Sequence, residues 1–241
     1  VAEAIALSDL VPMDLFAASE PLKIDLVYAD KNHHENIFGV ALYHHNARLT
    51  LRKELSKLVV ATARYLHDRC GEVLILKDGL RPVEAQAAMA QTKIVKDNPH
   101  WLQEPGRLLS PPGAGAHPRG MAIDVAVQDS AGKPIDMGTV FDTMTAQSAR
   151  DYDGFPASIL HNRRRLEEAF AEQAQRLGLP LLALSSEWWD FRFPKKYYED
   201  CSPFSDKDLP PPLSLLLPAT DHTGEWQSRF DKTAKEVLNS L

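Results

Sequence analysis

The segment His117-Pro-Arg-Gly-Met-Ala-Ile-Asp-Val-Ala-Val127 constrains the fold more than any other stretch of this chain. Met121, Ile123, Val125 and Val127 alternate as a strand with one apolar face, and Asp124 points to the opposite face with Ala122 and Ala126. A carboxylate on such a strand demands compensation, because an ionised group taken out of water unpaired is costly. The small alanines leave room beside it for an ion or a ligand, and Gly120 permits a tight change of direction between His117 and the strand. An imidazole and a carboxylate from one such unit read as two metal ligands. The plainer alternative is a loop-capping aspartate and a surface histidine.

The rest of the chain alternates strand and helix signals. Leu51, Leu55, Leu58, Val59, Thr62, Ala63 and Leu66 recur at helical spacing, which predicts a helix over roughly 49–68, stopped by Gly71. The apolar run Val73-Leu-Ile-Leu76 predicts a buried strand that ends at the Asp78-Gly79 turn and delivers Arg81 to a loop. Pro82 suits the start of a helix running to about residue 96. Residues 105–116 read as a Pro- and Gly-rich loop, 157–177 as a helix, and Leu181-Leu-Ala-Leu184 as the start of a strand that carries Glu187-Trp188-Trp189-Asp190. Pro210, Pro211, Pro212 and Pro218 exclude regular structure after residue 203, yet Trp226, Phe230, Ala234, Val237 and Leu241 keep helical spacing. The expected class is α+β: an antiparallel sheet carrying the candidate metal site, flanking helices, and a Pro-rich C-terminal extension packed on the body.

With 241 residues, 44% of them hydrophobic, the chain can bury a core without metal or disulfide staples, so a metal here would serve chemistry. The net charge of -6 offers no field for a phosphate backbone, and nucleic acid is not an expected partner. No apolar run approaches the roughly 20 residues of a membrane span. Cys70 and Cys201 lack metal or redox spacing and are expected to be buried small hydrophobes. The chain begins at Val1 without a signal-peptide pattern, so a leader is expected to be absent or removed, and the compartment, like the oligomeric state, stays open.

Four further motifs follow one another: Asp78-Gly-Leu-Arg-Pro82, Met137-Gly-Thr-Val-Phe-Asp142, Asn162-Arg163 and Glu187-Trp-Trp-Asp190. Each residue has a plain role available: Arg81 as a surface partner of Asp78 or Glu84, Asp142 as a helix N-cap, Trp188 and Trp189 as core and pocket wall. Glu187 and Asp190 are three apart, so only a bulge or a strand end lets both face one point. The ordered set, over roughly residues 24–193, resembles the D-alanyl-D-alanine dipeptidases, zinc peptidases related in fold to D-Ala-D-Ala carboxypeptidases and the hedgehog signalling domain.

The resemblance implies that His117, Asp124 and Asp190 hold one Zn2+ per chain, that Glu187 is the general base and that Arg81 stabilises the oxyanion. It also implies that Asp142 anchors the substrate ammonium group, in a catalytic domain over residues 1–203 with residues 204–241 as its extension. Two positions depart from the family pattern. Gly115 stands where the family has a substrate-holding serine, with Ser110 nearby in sequence, and Asp190 stands where it has a histidine ligand. Two carboxylates and one imidazole cancel the formal charge of a divalent ion, which weakens its effect on bound water. His161 and His222 read as surface groups rather than substitutes. The expected activity is metal-dependent hydrolysis of D-Ala-D-Ala or a related D-amino-acid dipeptide in a bacterial cytoplasm or periplasm. Alternatives are a carboxypeptidase of peptidoglycan stems and a metal-poor binding protein that lost turnover.

Overall fold

The computed structural model describes residues 3–105, 107–218 and 224–241; His222 lies outside them. In chain order the described residues form strands β1 (Leu10–Pro12), β2 (Leu22–Ile24) and β3 (Thr50–Arg52), helix α1 (Lys53–Cys70), strand β4 (Val73–Asp78), and helices α2 (Val83–Gln91) and α3 (Lys93–Asp97). Strand β5 (Ala122–Gln128), helix α4 (Ala157–Leu177), the short strands β6 (Leu182–Ala183) and β7 (Asp190–Arg192), and helix α5 (Gly224–Asn239) follow. The main sheet has the order β2-β4-β5-β7-β6 and is antiparallel except for the parallel β2–β4 pair; β1 and β3 form a separate antiparallel ladder.

One irregularity positions the site. Leu76 pairs with Val125 and Asp78 with Asp124, so Lys77 between them has no partner on β5. Such a bulge places two residues of one strand against one of the next and re-aims the chain locally. Its consequence is that Asp78 faces Asp124, and Asp124 in turn faces Asp190 on β7. Three aspartates thus stand abreast on adjacent strands, an arrangement that like-charge repulsion disfavours unless cations or donors offset it.

The core lies between the sheet and the helices α1 and α4. Phe170 of α4 stacks on Phe191 of β7 with ring centroids 3.9 Å apart, and both are buried. Because successive strand residues face opposite ways, anchoring Phe191 against the helix turns Asp190 and Arg192 together to the other face. Burying two phenylalanines contributes about 1.5–3 kcal/mol each, ample to hold so short a strand. Gly71, at φ +67°, closes α1 in the left-handed conformation that a side chain would disfavour. Phe230, Ala234 and Val237 of α5 are buried with the same core, and the helix packs against α1 and β1. No described helix is long and apolar enough to cross a membrane.

The structure corrects several boundaries. Residues 50–52 pair with β1 as a strand, so the first long helix begins only at Lys53. The helix after Pro82 is broken at Thr92, whose extended backbone separates α2 from α3. Glu187, Trp188 and Trp189 lie in the turn between β6 and β7, not on a strand, because the ladder resumes only at Asp190. Cys70 is exposed at the end of α1 and Cys201 is half-buried, so neither is a core residue.

Candidate active site

All seven residues singled out above, Arg81, Gly115, His117, Asp124, Asp142, Glu187 and Asp190, line one cavity of about 160 Å³. Asp124 comes from the middle of the sheet, Asp190 from the first residue of β7, and Glu187 from the turn before it. The strand end therefore satisfies the geometric condition on the Glu187–Asp190 spacing. His117 sits in a single 3-10 turn whose last position, Gly120, has φ +65° and turns the chain into β5.

The imidazole of His117 is oriented by the backbone. Its Nδ1 donates to the Gly79 carbonyl at 2.8 Å, which directs Nε2 to within 3.2 Å of Asp190 Oδ2 and 3.5 Å of Asp124 Oδ2. This is the disposition of a ligating histidine, with one nitrogen tied to an acceptor and the other aimed at the site. Asp124 Oδ1 is buried and has no hydrogen-bond partner among the described residues. An orphaned carboxylate oxygen beside an aimed imidazole fits a cation, since a buried acceptor otherwise bears its full desolvation penalty. Ligand-capable atoms group within 4.8 Å in two overlapping sets, Asp78 with His117 and Asp124, and Asp124 with Glu187 and Asp190.

The electrostatics follow from this crowding. Burial pulls the His117 imidazole down, but Asp124 and Asp190 more than offset it and raise the group to about 10. Burial, opposed by His117, raises the Asp124 carboxyl to about 6. Burial and the charges of Asp190 and Asp124 push Glu187 up to about 8. Asp190 alone goes the other way: burial would raise it, but the Arg192 guanidinium holds it well below the usual carboxylate range. Arg192 grips Asp190 with Nε on Oδ1 at 2.7 Å and Nη2 on Oδ2.

Arg81 is not on the surface but buried, with Nε 2.7 Å from Asp78 Oδ2, Nη2 3.4 Å from Asp124 Oδ2, and its guanidinium over the Tyr28 ring. Asp142 is not an N-cap. Its φ of +60° is the left-handed conformation, costly for any residue with a side chain, and no helix starts there. That backbone turns its carboxylate into the cavity, where Tyr28 donates a hydrogen bond to Oδ2 and no described side chain forms an ion pair with it. Burial raises Asp142 to about 7, Tyr28 and Arg81 only partly opposing it.

Gly115, at φ +86°, has an open Cβ position 3.7 Å from Ser110 Oγ and 3.9 Å from Arg192 Nη1. Ser110 and Arg192 thus occupy the end of the cavity that a side chain at position 115 would enter. Trp188 and Trp189 are core residues rather than pocket wall, Trp188 donating from its indole to Thr139 Oγ1 at 2.8 Å. His161 is exposed on α4, away from the cavity.

Three arginines staple the cavity loops by donating to carbonyls, and sequence reasoning missed two of them, Arg119 and Arg150, and the role of the third, Arg163. Arg163 bonds the carbonyls of Met137, Gln147 and Ala149, closing the loop that carries Asp142, while Asn162 adds the Asp136 carbonyl. Arg150 holds the β6–β7 hairpin through Leu184 and Asp190, and Arg119 holds residues 113–115 through the Gly113 and Gly115 carbonyls. A rigid fork of donors suits such multiple contacts. Only Asn162-Arg163 carried a signal in the sequence, as one of the ordered motifs.

The family model described as D-Ala-D-Ala dipeptidase, of the peptidase M15 group, matches residues 9–207. The D-alanyl-D-alanine dipeptidase of Escherichia coli K12 is 30% identical over 183 residues, covering 76% of this chain and 84% of the relative. A D-alanyl-D-alanine dipeptidase of Synechocystis is 24% identical over 140 residues, 55% of this chain and 54% of that protein. The crystal structure of the Serratia marcescens L-Ala D-Glu endopeptidase ChiX aligns over 61% of this chain and 84% of its own, at 14% identity and a TM-score of 0.35. The chain belongs to the D-Ala-D-Ala dipeptidase family of peptidases.

Proposed function

We propose that this protein hydrolyses D-alanyl-D-alanine or a closely related D-amino-acid dipeptide in bacterial cell-wall metabolism, using one Zn2+ per chain. The observation that carries this is the buried, unpartnered Asp124 Oδ1 beside the aimed Nε2 of His117, with Glu187 within ligand distance of Asp124 in the same cavity. His117, Asp124 and Asp190 would hold the ion. When bound, a zinc ion supplies Lewis acidity to the scissile carbonyl and acidifies water.

The chain's own residues do the rest. Glu187 lies beside the Asp124 and Asp190 carboxylates in the cavity, and a base poised near neutrality takes a proton from water and returns it to the leaving amine. Arg81, anchored by Asp78, faces the negative charge that develops on the carbonyl oxygen. Asp142 binds the free ammonium group of the substrate; a buried carboxylate without a cation of its own suits that role and disfavours acylated peptides. This contact separates a dipeptidase from a carboxypeptidase of long peptidoglycan stems. Catalysis is assigned to residues 1–203, and residues 204–241 are an extension packed on the same domain.

A second reading, a binding protein that lost turnover, is favoured by the Arg192 guanidinium, which engages both oxygens of Asp190 and competes with a metal for them. Metal content of the purified protein and D-alanine released from D-Ala-D-Ala decide between the two, with Glu187→Ala and Asp190→Ala alongside. Stoichiometric zinc, hydrolysis lost in Glu187→Ala and metal lost in Asp190→Ala are expected. No metal and no released alanine would overturn the dipeptidase assignment.

A further inference from the structure

The charged groups of the cavity form a chain of contacts with opposite signs at its ends. It begins at Asp142, which accepts from Tyr28; the Tyr28 ring lies under Arg81, and Arg81 reaches Asp124 at 3.4 Å. It continues through His117, 3.5 Å from Asp124 and 3.2 Å from Asp190, and ends at Arg192, whose Nη1 lies 3.9 Å from the open Cβ position of Gly115. One end is a carboxylate with no ion-pair partner among the described residues; the other is a guanidinium whose Nε and Nη2 are held by Asp190. Its Nη1 has no hydrogen bond among the described residues and points along the cavity wall toward Gly115 and Ser110.

Gly115 and Arg192 are coupled by space and by charge. A serine side chain at position 115 would extend beyond the Cβ position into the volume next to Arg192 Nη1 and Ser110 Oγ, and the left-handed backbone there keeps that volume open. Asp190 adds a negative charge to an acidic cavity, and Arg192, two residues on and on the same strand face, supplies the compensating positive charge. Anchored through two of its nitrogens, the guanidinium presents the third in a fixed direction, so little conformational entropy is lost when it meets an anion.

We propose that Arg192, with the Ser110 hydroxyl beside it, reads the free carboxylate of the substrate, so that the cavity selects a dipeptide zwitterion by its two ends. The proposal rests on the dipeptidase assignment above and names the specificity residue of that site. A charge-assisted hydrogen bond of this kind is worth up to about 100-fold in affinity. Arg192→Lys keeps the charge but loses the fork and should retain part of the discrimination.

The test compares D-Ala-D-Ala with D-alanyl-D-alaninamide, which keeps the ammonium group and lacks the carboxylate. Rates are measured in the wild type, Arg192→Gln and Arg192→Lys, and calorimetric binding is measured in a Glu187→Ala background with and without Arg192→Gln. The wild type should prefer the free acid by about 100-fold in kcat/KM, and Glu187→Ala should show the same preference in Kd. Arg192→Gln should bring both ratios down to within about threefold of one, with Arg192→Lys in between. If Arg192 only positions Asp190, both ligands weaken by the same factor and the ratio survives, which overturns the proposal. Binding that discriminates without any hydrolysis overturns the dipeptidase assignment and leaves the carboxylate contact standing. Hydrolysis without discrimination does the reverse, and failure to bind either ligand overturns both.

Discussion

Two groups of carboxylates and a histidine lie one residue apart along strand β4, and only one of them suits a metal. Asp25, His33 and Glu35 bring ligand-capable atoms within 4.8 Å of one another, as do Asp78, His117 and Asp124. In the first group Lys77 enters the middle, with Nζ 2.6 Å from Asp25 Oδ2 and in contact with Glu35 Oε2. In the second, Asp78 is paired with Arg81, but Asp124 keeps a buried oxygen without a partner and faces two further aspartates across the sheet. Ligand spacing therefore does not define a cation site; a buried carboxylate oxygen that no described donor or cation satisfies does, and Asp124 Oδ1 is one even with Arg81 beside Oδ2. The bulge that leaves Lys77 unpaired on β5 sends adjacent residues of one strand to the two clusters.

The sharpest break of this comparison is in metal affinity. Asp124→Ala should weaken divalent-ion binding by more than about 100-fold, since even outer partners of a metal ligand cost 10–100-fold when removed. Asp25→Ala should leave the metal content unchanged. Competition titration against a chelator, with metal content by mass spectrometry, reads both; equal losses would mean that the two clusters are not different in kind.

Next in size is the removal of the internal cation. Lys77→Met leaves Asp25 and Glu35 facing one another, Glu35 buried, and should lower stability by about 3–5 kcal/mol, the usual cost of breaking a buried ion pair from one side. A urea midpoint measured with the slope unchanged gives the number. A loss below about 1 kcal/mol would show that water already screens the cluster.

Much of this arrangement could be read in the sequence, and what could not has identifiable causes. The alternation around Asp124 and the periodicity over 157–177 specify elements because they depend only on local geometry, and the helix at Ala157–Leu177 matches its expected bounds. The seven candidate residues share one cavity because their motifs each carry a turn or strand end that the fold needs. The abreast alignment of Asp78, Asp124 and Asp190 was invisible, since register across strands distant in sequence depends on a bulge with no local signature at Lys77. Arg192 escaped notice for a similar reason: its meaning depends on Gly115, far away in the chain and emptied of a side chain. The expected run of strand through Glu187 failed because the apolar stretch before it reads as continuous, whereas the backbone turns at Ser185 and Ser186.

Asp25 of the first cluster and Asp142, in the cavity that holds the second, should also answer acid in opposite directions. Burial opposes ionisation of Asp25, but Lys77 and His33 more than offset it, so its folded-state pKa lies below 3.8. Its stabilising contribution is present above that value and is lost as pH falls through the folded pKa. Asp142 is raised to about 7, so the folded protein binds more protons than the unfolded chain between about pH 4 and 7, and stability falls as pH rises through that window. Asp142→Asn removes the penalty while keeping an acceptor for Tyr28, and asparagine tolerates the left-handed backbone well. At pH 8 it should stabilise the metal-free protein by roughly 2 kcal/mol, half of what the full shift would give once cavity water screens it, with the gain gone near pH 4. Thermal unfolding at the two pH values checks the sign. A pH-independent difference would mean that the carboxylate is already solvated.

The smallest effect separates the two histidines. His33 Nδ1 accepts the Glu35 backbone N–H at 3.1 Å, so in the neutral ring the hydrogen sits on Nε2, which donates to Asp25 Oδ1 at 3.1 Å. Both nitrogens are occupied and no lone pair is left for a metal. His117 is wired the other way, its Nδ1 donating to a carbonyl so that Nε2 is the atom that faces the carboxylates. His33→Gln should therefore cost only about 1 kcal/mol, the worth of a hydrogen bond or two at a partly exposed position, and leave metal content and turnover at wild-type levels. His117→Gln should remove the metal and lower the unfolding midpoint of the metal-free protein by more than His33→Gln does, because it takes a buried imidazole away from the Asp124 and Asp190 carboxylates. If His33→Gln lowered the metal content as His117→Gln does, ring orientation would not be what distinguishes a ligand from a structural histidine in this fold.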